Sequence, residues 1–141
     1  MKKVLCLAVV LLFLAAGAVS LQRMPPGTQA IFLKDGESLA GKIVDVTLPQ
    51  MDFKLEEGKT IPLRDLWMIN FETAEWDFPE ERNVLESNDC YVFLKSGDIY
   101  SGRLSAYSAE TKSFVFASGE YFPLVQCRRM YFSKTVPRNI R

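Results

Sequence analysis

Apolar residues fall on alternate positions through two stretches of this chain. In the first, Ile31, Leu33, Ile43, Phe53, Leu55, Ile61, Leu63, Ile69 and Phe71 all carry odd numbers. Alternation with period two puts successive side chains on opposite faces of a strand, so it predicts short strands that each bury one face. Turn-forming residues cut the stretch into pieces. Lys34-Asp35-Gly36-Glu37, Leu48-Pro49-Gln50, Glu56-Glu57-Gly58-Lys59 and Arg64-Asp65-Leu66 are the breaks. Five strands are predicted between them, over 30–34, 38–47, 51–55, 60–63 and 67–71. Gly41 lies inside the second, where a glycine marks a bulge or a sharp bend.

The second stretch repeats the first at an offset of 61 residues. Phe32-Leu33-Lys34-Asp35-Gly36 returns as Phe93-Leu94-Lys95-Ser96-Gly97, and ten of 41 positions are identical between 31–71 and 92–132. The odd-numbered set above maps onto Val92, Leu94, Leu104, Phe114, Phe116, Phe122, Leu124, Met130 and Phe132, all apolar. Each repeat is therefore expected to curl round its own small core. Nine such side chains make a modest core for one unit, so the two units are expected to pack on each other.

The strand order, the Lys-x-Gly turn, the internal glycine and the Ile61-Pro62-Leu63 stretch resemble an Sm-like small barrel. In that family the first motif runs apolar-x-Leu-x-x-Gly, then x4-Gly-x-apolar. Leu33 to Gly36 with Gly41-Lys42-Ile43, and Leu94 to Gly97 with Gly102-Arg103-Leu104, follow it. The Gly41 to Val46 and Ile61 to Leu63 stretches also resemble PRC-barrel domains. Either resemblance implies an all-β fold of two tandem five-stranded small barrels. Sm-like RNA binders carry an Asp and an Asn after the second strand and an Arg-Gly or Lys-Gly pair near the closing strand. This chain has Met51-Asp52-Phe53 and Leu66-Trp67-Met68, then Lys112-Ser113-Phe114 and Cys127-Arg128-Arg129. The RNA-contacting pattern is thus missing from both repeats, and nucleic-acid binding is not carried over.

Outside the repeats, Met1-Lys2-Lys3, the apolar run Val4 to Ala16 and the small residues Ala18 and Ser20 follow the grammar of a secretory signal peptide over residues 1–20. The expected location is exported, periplasmic or extracellular, with membrane anchoring through 4–19 as the alternative. The expected divisions are repeat 1 over 21–71, a linker over 72–89, and repeat 2 with a basic tail over 90–141. The linker holds seven acidic residues and one arginine, but also Trp76, Phe78, Val84 and Leu85, which suits an ordered strap. Pro79-Glu80-Glu81-Arg82 suits the first turn of a helix, and the tail from Ser133 is expected to fray.

Charge and chemistry narrow the function. Without residues 1–20 the chain keeps 15 basic and 17 acidic side chains, which gives no electrostatic case for nucleic acid. Histidine is absent, removing the commonest general base and metal ligand. No catalytic residue, metal site or cofactor is assigned. Cys90 and Cys127 either pair as a disulfide in an oxidising compartment or serve as small buried apolar residues.

The richest contrast is in aromatics: ten from Tyr91 to Phe132 against four from Ala30 to Phe71. Tyr91, Phe93, Tyr121 and Tyr131 fall on positions facing away from the core, with Arg103 and Arg129 among them. Two readings fit. The rings form a binding surface for a protein or another envelope component, or they pack against the strap or repeat 1. The expected function is an exported, non-enzymatic binding module; the alternative is a structural protein that self-associates into an oligomer.

Overall fold

A computed structural model describes residues 27–72 and 76–140. The signal-peptide assignment over 1–20 lies outside the described residues. Twelve strands are present: β1 (Gln29–Leu33), β2 (Ser38–Gly41), β3 (Ile43–Thr47), β4 (Asp52–Leu55), β5 (Thr60–Pro62) and β6 (Leu66–Asn70), then β7 (Cys90–Leu94), β8 (Ile99–Gly102), β9 (Leu104–Ser108), β10 (Ser113–Phe116), β11 (Tyr121–Pro123) and β12 (Cys127–Tyr131). Every bound in the second set lies 61 residues after its counterpart in the first. A 3-10 turn precedes the last strand of each half, at Leu63–Asp65 and Leu124–Gln126. The fold is all-β, with one short helix, α1 (Phe78–Arg82).

Each half has six strands rather than five because its second strand bends. Lys42 separates β2 from β3, and Arg103 separates β8 from β9. The glycines before the bends explain them. A Cβ on Gly41 would stand 2.9 Å from Leu55 Cδ1, and one on Gly102 would stand 3.0 Å from Phe116 Cδ2. Leu55 and Phe116 are themselves counterparts, so the same close approach recurs in both halves. At each bend the chain leaves one sheet and enters another.

The sheets differ from the expected pair of barrels. Among the described residues they are three and open: a six-stranded sheet in the order β2-β1-β6-β12-β7-β8, and two three-stranded sheets, β3-β4-β5 and β11-β10-β9. The reason is the use made of the closing strands. β6 and β12 pair with each other, antiparallel, with Ile69 opposite Met130, Asn70 opposite Arg129 and Met68 opposite Tyr131. Each pair is mapped onto itself or onto another pair when the halves are exchanged, since Ile69 and Met130 are counterparts. The bonds Phe71 N–H to Arg128 C=O (3.0 Å) and Phe132 N–H to Trp67 C=O (2.8 Å) continue the same symmetric ladder.

One core results, not one per half. All eighteen alternating apolar residues lie in a single cluster, most of them buried and Leu33, Leu63, Phe71, Leu94 and Leu124 partly so. Rings meet across the halves: Phe53 lies 6.2 Å from Phe114 and 5.5 Å from Phe132 between centroids, and Phe71 lies 6.2 Å from Phe114. Neither half could keep these side chains dry alone.

The other face of the six-stranded sheet is covered too. Trp76, Phe78, Val84 and Leu85 of the strap pack on it, as do Val136 and Ile140 of the tail. α1 begins after Asp77 with a proline in its first turn and Glu80 and Glu81 beside its N-terminus, where peptide dipoles favour anions. The tail is not frayed. The Asn88 side-chain oxygen accepts bonds from Ser133 Oγ (3.3 Å) and Lys134 N–H (3.2 Å), and Asn139 Nδ2 donates to Gly36 C=O at 2.9 Å.

The close approach at the bends predicts that Gly41→Ala and Gly102→Ala each lower stability by about 1–3 kcal/mol through overpacking. Urea unfolding measures it, and Gly58→Ala, where a Cβ meets nothing within 4 Å, separates crowding from the strain of a positive φ.

Candidate binding surfaces

The six residues expected to form a binding face part company. Tyr91, Phe93, Arg129 and Tyr131 are buried, in or beside the cluster beneath the strap, and so cannot form an open surface. Tyr121 and Arg103 are exposed. The alternation correctly puts the rings on the face away from the main core, but the strap covers that face.

What the buried group does is structural. Glu81 of α1 points into the sheet and accepts from Arg129 Nε at 2.6 and 2.8 Å, with Arg129 Nη2 at 2.5 Å. Tyr131 donates its hydroxyl to the same carboxylate, and Trp76 Nε1 donates to the Tyr131 oxygen at 2.9 Å. The side chains of Arg129 and Glu81 are only 2% and 11% exposed. Burial first, then the neighbouring Glu81 carboxylate, pushes the Tyr131 phenol up, so it stays protonated and keeps donating. Tyr91 fixes the far end of the strap, its hydroxyl accepting from the backbone N–H groups of Glu86 (3.1 Å) and Ser87 (3.2 Å). Around these polar contacts the rings interlock. Trp67 has Phe78 at 5.1 Å, Tyr131 at 5.8 Å and Trp76 at 5.9 Å.

Cys90 and Cys127 are both buried free thiols. Cys127 stands opposite Leu94, four residues along β7 from Cys90, farther than a disulfide spans. Its S–H points to Pro123 C=O at 3.3 Å. Burial pushes the Cys127 thiol up to about 12, against a small opposing pull from Lys95. The Cys90 thiol is raised as well, by burial first and then by Cys127 and Asp89. Both are small buried residues without thiolate character.

Two open regions remain. The first lies at an end of the second half. Tyr121 of β11 is 67% exposed, and Ile99 and Tyr100 of β8 are also exposed. The Tyr100 ring rests 5.1 Å from Phe122, and a shallow hollow bounded by Tyr100, Tyr121 and Gly119 lies beside it. In the first half the matching residues are Ser38, Leu39 and Thr60, so this apolar patch is special to the second. Ile99 and Tyr100 escape a reading by alternation because edge strands expose both faces.

The second is a cleft of about 630 Å³ between the halves, beside β3 and the end of β9. Ile43, Phe71, Tyr107 and Leu124 give it apolar walls, and Lys42, Lys95 and Lys112 give it three ammonium groups against one carboxylate, Glu56. The Tyr107 phenol is pushed up by burial and by the Asp45 charge, so it is held protonated. Among the described residues, no group of three His, Cys, Asp or Glu side chains is placed to hold a metal ion. Comparisons with protein-family models, with curated proteins and with solved structures find no match to this chain.

Removing the strap's anchor leaves a buried guanidinium uncompensated. Glu81→Ala is therefore expected to cost about 3 kcal/mol in urea unfolding, with loss of the near-ultraviolet signal of the clustered rings. Glu81→Leu with Arg129→Met, the residue of the first half, is expected to recover part of it, since no charge then stays buried.

The thiols set an alkaline limit. Their folded values lie above the ordinary thiol value of 9.0, so they cost nothing below it, where both states hold the proton. Above it the unfolded chain ionises first, and stability falls as pH rises towards about 12 for Cys127. Urea unfolding from pH 8 upward is expected to show this decline, and Cys90→Ala with Cys127→Ala is expected to lessen it, most clearly below pH 10.0, above which the raised Tyr107 and Tyr131 phenols add their own.

Proposed function

We propose that this chain is an exported, non-enzymatic binding module that takes an extended segment of a partner protein along β8. The observation that carries the reading is the pairing of an open edge with exposed aromatics. β8 ends the six-stranded sheet, so one row of its backbone N–H and C=O groups faces outward. Ile99, Tyr100 and Tyr121 stand beside that edge. Backbone groups would supply affinity and the apolar hollow would select alternate side chains of the incoming strand. Tyrosine suits such a role, offering a large rigid surface at little entropic cost. Export rests on the signal grammar of residues 1–20.

The Sm-like reading belongs here as well. What supports it is the order within each half, β6-β1-β2 running through the bend into β3-β4-β5, with a 3-10 turn before the last strand. Counted through the bend, that is five strands curled on one face. On this reading the chain is two small-barrel units whose closing strands are spent on each other, leaving the outer edges for partners.

Peptides selected on the immobilised chain from a library of extended, apolar sequences test the proposal. Tyr100→Ser with Tyr121→Ser is expected to weaken a selected peptide at least tenfold, about 1.4 kcal/mol, while circular dichroism stays native. Methylating alternate backbone nitrogens of the peptide is expected to abolish binding. Peptides indifferent to both changes would refute engagement at β8.

A further inference from the structure

The cleft between the halves has a counterpart on the other side of the symmetric ladder, and comparing the two shows what is special about it. Exchanging the halves carries Lys112 onto Met51 and Ala109 onto Leu48. The backbone is the same at the first pair, with left-handed φ of 50° at Lys112 and 58° at Met51. The side chains behave oppositely. Met51 is 8% exposed and belongs to the core, while Lys112 is exposed and lines the cleft. The wall differs in the same sense: Phe132 is buried, whereas its counterpart Phe71 is only half-buried. One fold thus fills the position with a thioether in one half and leaves an ammonium beside a hollow in the other.

Charge and shape then specify an occupant. Lys42 has Glu56 at 4.0 Å, a weak and exposed pairing. Among the described residues, no carboxylate lies within 4.0 Å of Lys95 or Lys112. Two ammonium groups without a carboxylate partner thus flank walls of Tyr107, Leu124 and Phe71, and the exposed Val125 extends the apolar surface at the rim. A volume of about 630 Å³ is in the range of small-molecule sites. We infer that this cleft binds a compact amphiphile with one anionic head, carboxylate or phosphate, set against Lys95 and Lys112, and an apolar body laid along Tyr107 and Leu124. This site is separate from the β8 edge and stands or falls without it.

Calorimetric titration of the full chain tests it, with decanoate, decyl phosphate, decanol and inorganic phosphate, the amphiphiles kept below their micellar concentrations. Decanoate, decyl phosphate or both are expected to bind, their comparison telling which head is preferred. Decanol and inorganic phosphate are each expected to bind at least tenfold more weakly than the better of the two. Amide resonances of Lys95, Lys112 and Val125 are expected to move on binding. Lys112→Met with Ala109→Leu installs the side chains of the first half, where Met51 folds into the core and Leu48 stays exposed, and is expected to abolish binding by removing the ammonium and crowding the rim. Lys95→Glu with Lys112→Glu, both at exposed positions, is expected to do the same with unfolding temperature nearly unchanged, and serves if the first pair fails to fold. Binding of decanol equal to that of the acids would overturn the anionic head, and inorganic phosphate equal to decyl phosphate would overturn the apolar body. No binding by either acid, or binding indifferent to both variant pairs, would overturn the site. Loss of peptide binding at β8 would leave all of these outcomes untouched.

Discussion

The structure depends on one antiparallel pairing, β6 against β12, centred on Ile69 and Met130. A small curled sheet has an edge it must satisfy, and unpaired backbone groups in a half-buried edge are costly. Here each half satisfies the edge with the equivalent strand of the other. The pairing is self-complementary in the manner of a twofold dimer interface, but it is made within one chain. Two consequences follow at once. The two sets of inward side chains merge into a single core, and the three sheets stay open because the strands that would close them are already engaged.

The same pairing makes one broad sheet, and a broad sheet has a second face. Phe32, Met68, Tyr91, Phe93 and Tyr131 would leave that face oily and wet. The strap removes the difficulty with a small ring cluster pinned by a buried ion pair. Glu81 is not a cheap anchor, since taking two charges from water costs several kcal/mol per ion before their attraction is counted. What it offers is register: one carboxylate meets Arg129 and Tyr131, two residues apart on one strand, and so fixes where α1 sits. The first half carries Met68 and Asn70 at those places, so only the second half can bind the strap's carboxylate.

Much of this could be read from the residues. Alternation identified eighteen core positions but missed others in the same cluster, among them Val46, Met51, Leu66, Tyr107 and Cys127, and the 61-residue offset placed the strands of the second half. Gly41 marked the bend, and Pro79 with its following acids marked the helical turn. What alternation cannot supply is which edge meets which. It reports the buried face of a strand and nothing about its neighbours, so the union of β6 with β12 was out of reach, and with it the single core. For the same reason Tyr91, Phe93 and Tyr131 read equally well as open surface or covered packing. Glu81 and Arg129 lie 48 residues apart, and no local pattern joins them. The cleft was hidden differently. Lys112 is an unremarkable loop lysine until its counterpart Met51 is seen folded inward.

The symmetric ladder also bears on how the chain must be made. β6 is complete by Asn70, but its partner strand lies near the far terminus. For most of synthesis, the leading portion therefore carries a strand zipped to β1 along one side and open along the other, with Trp67 of that strand and Phe32 of β1 still uncovered. Contacts so distant along the chain slow collapse and prolong the time an unpaired edge is open to strangers. A truncated version ending before Cys127 would keep that edge and the apolar face beside it open, a template for aggregation.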